Sequence, residues 1–280
     1  MKRRIITALT FLLTLTTYAL EIKGFSPDES LVYKTIGDTE LKLHIFYPEG
    51  HKVTDDRPGI VFFFGGGWNN GSPSQFFPQC EYLASRGMVA MSAEYRVKSR
   101  NKTTPKECVK DAKSAVRWIR SNSAKLGIDP AKILAGGGSA GGHIAAATGT
   151  SEYFEETGED LDISSRPSAL VLFNPVVDNG PSGFGHERMK DYWEEISPMH
   201  NIHKDTPPTV LLLGTRDRII PVSTAQAYQR RMEALGLRCD VYLYKDQTHA
   251  FFNYGKEFYG PTIRDMDRFL VSLGYLDALK

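Results

Sequence analysis

Cysteine is scarce in this chain, with three residues in 280, far apart at positions 80, 108 and 239. That is too few and too scattered for a disulfide scaffold or a cysteine-rich zinc site. Charge of either sign is not in excess: Lys plus Arg number 34 against 33 Asp plus Glu, a net charge of +1. No basic stretch beyond the first four residues is dense enough to track a phosphate backbone, which argues against nucleic acid as a partner. Pro/Ser-rich linkers, internal repeats and low-complexity tracts are absent. The one marked apolar run, near the start, is shorter than the roughly 20 residues a membrane-spanning helix needs. What is present is ordinary globular usage, 41% apolar and 24% charged, enough to bury a large core.

The first residues read as an address. Met1 to Arg4 carry three positive charges, Ile5 to Thr17 form an apolar run broken only by Thr, and Thr17 and Ala19 put small residues three and one positions before a cut. A signal peptide over residues 1–19 is expected, and with it a secreted or periplasmic protein that has no stable membrane association after cleavage. Residues 20–280 then form a single domain with 31 basic and 33 acidic residues, a net charge of −2. Export makes a bridge between Cys80 and Cys108 chemically possible.

Leu31–Ile36 and Leu41–Tyr47 are strand-like runs joined around Gly37-Asp38, a hairpin signal. Ile60 to Phe64 is an unbroken apolar run of the kind buried on both faces of a parallel sheet. Further short strands are expected at Met88–Glu94, Ile133–Ala135, Ala169–Phe173, Thr209–Leu213 and Val241–Tyr244. Helical patterns fall at Phe76–Arg86, His143–Thr148, Val222–Leu235 and Ile263–Leu273. The clearest helix starts at a capping box of Thr104 and Glu107 with Pro105 at its first position. Repeated alternation of strand and helix predicts an α/β fold, a mainly parallel sheet covered on both faces with an antiparallel hairpin at its start.

Ile133 to Ile144 reads ILAGGGSAGGHI, in which Gly137, Ser139 and Gly141 fit G-x-S-x-G between a strand and a helix. A sharp turn there exposes the serine hydroxyl, and flanking glycines are needed because a Cβ would clash. Ser139 is the candidate nucleophile. A phosphate-binding reading is disfavoured, since no Lys-Ser/Thr pair follows and no G-x-G-x-x-G stands in frame. Gly65 to Gly67 follow the Phe-rich strand, so the backbone N–H groups of Gly66 and Gly67, with that of Ala140, are candidates for an oxyanion hole. Asp217 and His249 each lie just past an apolar strand, where His249 would take the Ser139 proton and Asp217 would hold the imidazole. Asp178 is the alternative acid. His143 lies too close to Ser139 along the helix to act as base. His44, His51, His186, His200 and His203 lack recognisable partners or metal spacing, so no metal and no cofactor are expected.

With FFGGGW, GGGSAGG, GTRDRIIP and QTHAF in that order, the chain resembles the α/β-hydrolase superfamily. Within it the chain looks like exported bacterial carbohydrate esterases of the acetylxylan and feruloyl esterase kind. The resemblance implies an α/β-hydrolase fold, a serine carboxylic-ester hydrolase and an acyl-serine intermediate. One departure is Phe64, where relatives commonly carry His before the glycine triplet. The stretches before Gly65 and from Asn179 to Pro207 are too short for a large helical cap, so an open site is expected, suited to an ester hanging from a polymer. Trp68, and Tyr192 or Trp193, are candidates to stack on sugar rings. The expected substrate is therefore an acetylated polysaccharide or oligosaccharide. Feruloyl esterase, serine peptidase of the same fold and an inactive carbohydrate-binding homologue are the alternatives.

Overall fold

A computed structural model describes residues 24–279; the expected signal peptide at residues 1–19 lies outside the described residues. Strands β1 (Glu29–Ile36) and β2 (Thr39–Phe46) form the expected antiparallel hairpin. They are followed by β3 (Arg57–Phe63), helix α1 (Phe77–Ser85) and β4 (Val89–Ala93). Next come a one-turn α2 (Lys98–Asn101), the long α3 (Pro105–Ser121), a short α4 (Ser123–Leu126) and β5 (Ile128–Gly138). Helix α5 (Ala140–Thr150), β6 (Leu170–Phe173), α6 (Trp193–Ile196), β7 (Thr209–Gly214), α7 (Val222–Ala234), β8 (Cys239–Tyr244) and α8 (Tyr259–Ser272) complete the chain. The eight strands make one sheet in the order β1-β2-β4-β3-β5-β6-β7-β8, parallel from β4 onward.

Both faces of the sheet are buried, as the unbroken apolar strands require. Along β3, Ile60 and Phe62 join a core with α1 and α8, whereas Val61 and Phe63 join a core with α3, α5 and α7. Helix α3 begins at the expected capping box, with the Glu107 carboxylate accepting the Thr104 N–H at 2.7 Å. Strand β5 runs much further than the expected Ile133–Ala135. It takes in Gly136 to Gly138 because the missing Cβ atoms let neighbours close in: one at Gly136 would lie 2.6 Å from the Phe62 ring. Glycine signals a turn in sequence, but here it permits close packing in a central strand.

The possible Cys80–Cys108 bridge does not form. Cys80 packs among Phe46, Phe62 and Phe76 on one face of the sheet, and Cys108 among the α3 residues on the other. The Cys108 thiol instead donates to the Arg96 carbonyl at 3.1 Å. Burial pushes the Cys80 and Cys108 thiols well above their ordinary pKa and Cys239 up to about 12.

Candidate active site

Ser139 joins β5 to α5 with φ 54° and ψ −118°. A side chain in left-handed backbone costs on the order of 1–3 kcal/mol and persists only where its surroundings impose it. Here the Ser139 N–H donates to the Phe173 carbonyl at 3.0 Å, and the Ser139 carbonyl accepts from Val176 at 3.2 Å and His143 at 3.0 Å. The flanking glycines are forced by backbone proximity. A Cβ on Gly141 would stand 2.0 Å from the Phe63 carbonyl oxygen, and one on Gly137 2.6 Å from the same atom.

Two loops at the same end of the sheet supply the partners. The turn after β7 carries Asp217 and the turn after β8 carries His249. Arg216 N–H to the Gln247 carbonyl (2.9 Å) and Asp246 N–H to Thr215 Oγ1 (2.8 Å) stitch these turns together. The structure thereby brings three distant residues into contact: His249 Nε2 lies 2.9 Å from Ser139 Oγ, and His249 Nδ1 lies 2.7 Å from Asp217 Oδ2. The Asp217 side chain is fully buried, while His249 is 20% exposed. Asp217 Oδ1 accepts the N–H groups of Ile219 (2.8 Å) and Ile220 (3.0 Å). Burial alone would raise the Asp217 carboxyl, yet the bond from His249 and these backbone donors outweigh it and hold its pKa below the ordinary value. A carboxylate at Nδ1 keeps the imidazole proton there, leaving Nε2 free to accept the serine proton.

The glycine loop abuts the serine. A Cβ on Gly65 would lie 3.4 Å from Ser139 Cβ, and Gly66 (φ 125°) has room for none, since it would stand 2.1 Å from the Asn70 carbonyl. The Gly65 N–H donates to Gln75 Oε1 at 2.7 Å, and Gln75 Nε2 donates to Asn253 Oδ1 at 3.0 Å in the segment after His249. Among the described residues, no internal group accepts the N–H of Gly66 or Gly67. Ala140 opens α5, where the helix itself supplies no acceptor for the first N–H groups. Phe64, in place of the usual His, is buried against Tyr95, with ring centroids 4.1 Å apart, and the Tyr95 hydroxyl donates to the Phe64 carbonyl at 2.7 Å. Arg188 reaches across from the β6–β7 segment to donate to the Gly67 carbonyl at 2.8 Å.

The expectation that Trp68 stacks on a sugar is corrected. Trp68 is 2% exposed. Its ring is covered by Phe184 at 5.9 Å, and its N–H donates to His143 Nδ1 at 3.2 Å. His143 in turn meets the Ile196 carbonyl through Nε2 at 3.2 Å, and burial lowers its pKa to about 4, so it is a neutral tie between α5 and α6. Trp193 packs edge-on against His200 at 4.9 Å, and Tyr192 lies under the Lys106 ammonium at 4.0 Å. Asp178 accepts the Gly180 N–H and faces His200, not His249. Gln75, Tyr95, Arg188 and Asn174 make contacts that only the fold brings about. Only Asn174 left a local sign, an Asn between an apolar strand and a proline.

Fold and site together define an α/β-hydrolase with the active-site arrangement of a serine esterase. The BD-FAE family model matches residues 43–186, just over half of the chain, and the chain belongs to this family. Thermogutta terrifontis esterase 2, in a structure phosphoramylated by tabun, is 45% identical with a TM-score of 0.87, the match covering 90% of this chain and 96% of that one. Its propionate-bound structure is 43% identical, also at a TM-score of 0.87, over 91% and 98%. Esterase LipC of Mycobacterium tuberculosis is 28% identical over 71% of this chain and 54% of its own length. An acetylxylan esterase of Xylanibacter ruminicola is 24% identical over 98% and 55%. The chain thus spans about half the length of these two curated relatives. The site is that of a carboxylic-ester hydrolase.

Proposed function

We propose that this chain is an exported serine carboxylesterase that removes short acyl groups, acetyl foremost, from a carbohydrate. The observation that carries the reading is the continuous contact from Asp217 through His249 to Ser139. Ser139 Oγ attacks the ester carbonyl carbon as His249 Nε2 takes the hydroxyl proton. The N–H groups of Gly66, Gly67 and Ala140 receive the oxyanion, and losing one such donor typically costs about 10²–10³ in rate. Collapse breaks the ester C–O bond, His249 protonates the departing alkoxide, and the acyl group stays on Ser139. A water then gives its proton to His249 and attacks the acyl carbon, releasing the acid and restoring the serine.

Three observations support the finer reading. The buried rings of Phe76, Phe173 and Phe252 fill the space beneath Gly138, where a Cβ would already lie 2.5 Å from Phe252, which suits a short acyl group. The propionate-bound neighbour points the same way. The β6–β7 segment holds only one-turn helices and folds onto the glycine loop, so among the described residues no helical cap stands over the site, and the likeness to an acetylxylan esterase fits an ester on a polymer. Export rests on residues 1–19 alone.

Purified protein would be assayed on aryl esters of rising acyl length, acetylated xylan and a feruloylated oligosaccharide. A maximum at roughly two to four acyl carbons is expected, with acetate released from xylan. Ser139→Ala should lose about 10⁴-fold or more in kcat. Faster release of ferulate than of acetate would make it a feruloyl esterase. Cleavage of peptides but not esters would make it a peptidase, and glycan binding with no labelling by a fluorophosphonate would make it an inactive binder.

A further inference from the structure

Asn174, the residue after β6, has no part in the steps above. It is fully buried, and its backbone lies in the left-handed region at φ 35°, immediately before Pro175. Its N–H donates to the Leu212 carbonyl on β7 at 2.7 Å, while the carbonyl just before it, that of Phe173, accepts the Ser139 N–H. Its Oδ1 accepts the N–H of Ala250 at 2.9 Å. Ala250 follows His249 and is itself left-handed, at φ 62°. Three non-glycine residues in costly backbone are therefore linked through this one asparagine, and two of them carry or adjoin a reacting group.

The amide Nδ2 is buried without a partner among the described residues. Gln247 and Asn253 tie the ends of the His249 turn to Arg216 and Gln75, and the Asn174 side chain holds its middle. We infer that Asn174 is a positioning residue for the reaction, with its Oδ1 setting the Ala250 peptide so that the His249 imidazole meets Ser139. The inference rests on the esterase reading above. It acts through geometry, and misplacement of a reacting group by about 1 Å can cost about 10² in rate.

The test compares kcat and KM of wild type, Asn174→Leu and Asn174→Asp on an aryl propionate, with thermal melts to establish folding. Leu fills the space but offers no acceptor; Asp keeps an oxygen facing the Ala250 N–H in either protonation state. Asn174→Leu should lose about 10- to 100-fold in kcat with KM nearly unchanged, and Asn174→Asp should recover most of that loss. A folded Leu variant with kcat within about twofold of wild type, or equal losses in Leu and Asp, overturns the inference. Should Leu fail to fold, Asn174→Gly takes its place, since glycine adopts the left-handed backbone without penalty. A kcat loss of about fivefold or more then supports the inference, and less overturns it. A wild type that neither turns over the ester nor is labelled at Ser139 by a fluorophosphonate sinks the esterase reading itself, and this inference with it. An active wild type with indifferent variants sinks only the role of Asn174.

Discussion

Replacing Asp217 with Asn changes few atoms but reverses the chemistry of His249, and the surrounding hydrogen bonds dictate how. Oδ1 faces two backbone donors, Ile219 at 2.8 Å and Ile220 at 3.0 Å. Turning an amide NH2 toward them would leave two buried N–H groups unpaired, at about 1–3 kcal/mol each. The asparagine oxygen must therefore stay in that corner, and its NH2 must point at His249 Nδ1, 2.7 Å away. Nδ1 becomes an acceptor, so the neutral ring carries its proton on Nε2, opposite Ser139 Oγ. The imidazole then donates to the serine and cannot take its proton. A fall in kcat of about 10⁴ is expected, about 5 kcal/mol of transition-state stabilisation, with KM changed little. Asp217→Ala deletes the group without imposing a tautomer and should do no worse. The assay is hydrolysis of an aryl acetate by variants whose folding is established by thermal melts. An Asn variant retaining more than roughly one-hundredth of wild-type kcat would refute this account.

Other outcomes follow from the same contacts. His143 is neutral in the fold with a pKa of about 4, below the ordinary imidazole value of 6.5, so the unfolded chain binds the extra proton and stability falls as pH drops from about 6.5 toward 4. Urea midpoints should show a loss of about 2 kcal/mol between pH 7 and pH 5 that His143→Gln flattens, and parallel curves would contradict this. Gly141→Ala drives a methyl into the Phe63 carbonyl, and thermal melts should register more than about 3 kcal/mol of destabilisation, or no folded protein. Thiol titration without reductant should find no rapidly reacting group in native protein and three in denaturant; fewer than three would mean a disulfide.

The parts of this molecule that could be read from sequence are those whose chemistry is local. The apolar strands, the capping box of α3 and the glycines around Ser139 each declare themselves within about ten residues. The strand ends near Asp217 and His249 are equally local, so the meeting of the two loops with Ser139 could be anticipated from topology. Trp68 shows where this fails. An indole beside a glycine loop looks exposed, yet Phe184 and His143, more than 70 residues away, cover it. The extent of β5 was hidden because glycine carries opposite meanings in a turn and in a crowded strand. The roles of Gln75, Arg188 and Asn174 were hidden because each depends on a backbone group that only the fold brings near.

The placement of the thiols bears on how the protein meets oxidants. Cys80 and Cys108 are separated by the thickness of the sheet, and all three cysteines are buried and disfavoured as thiolates. An oxidising compartment could thus reach them only while the chain is open, during folding or after damage. Each sulfur then records, by its chemical state, whether that molecule has ever come apart.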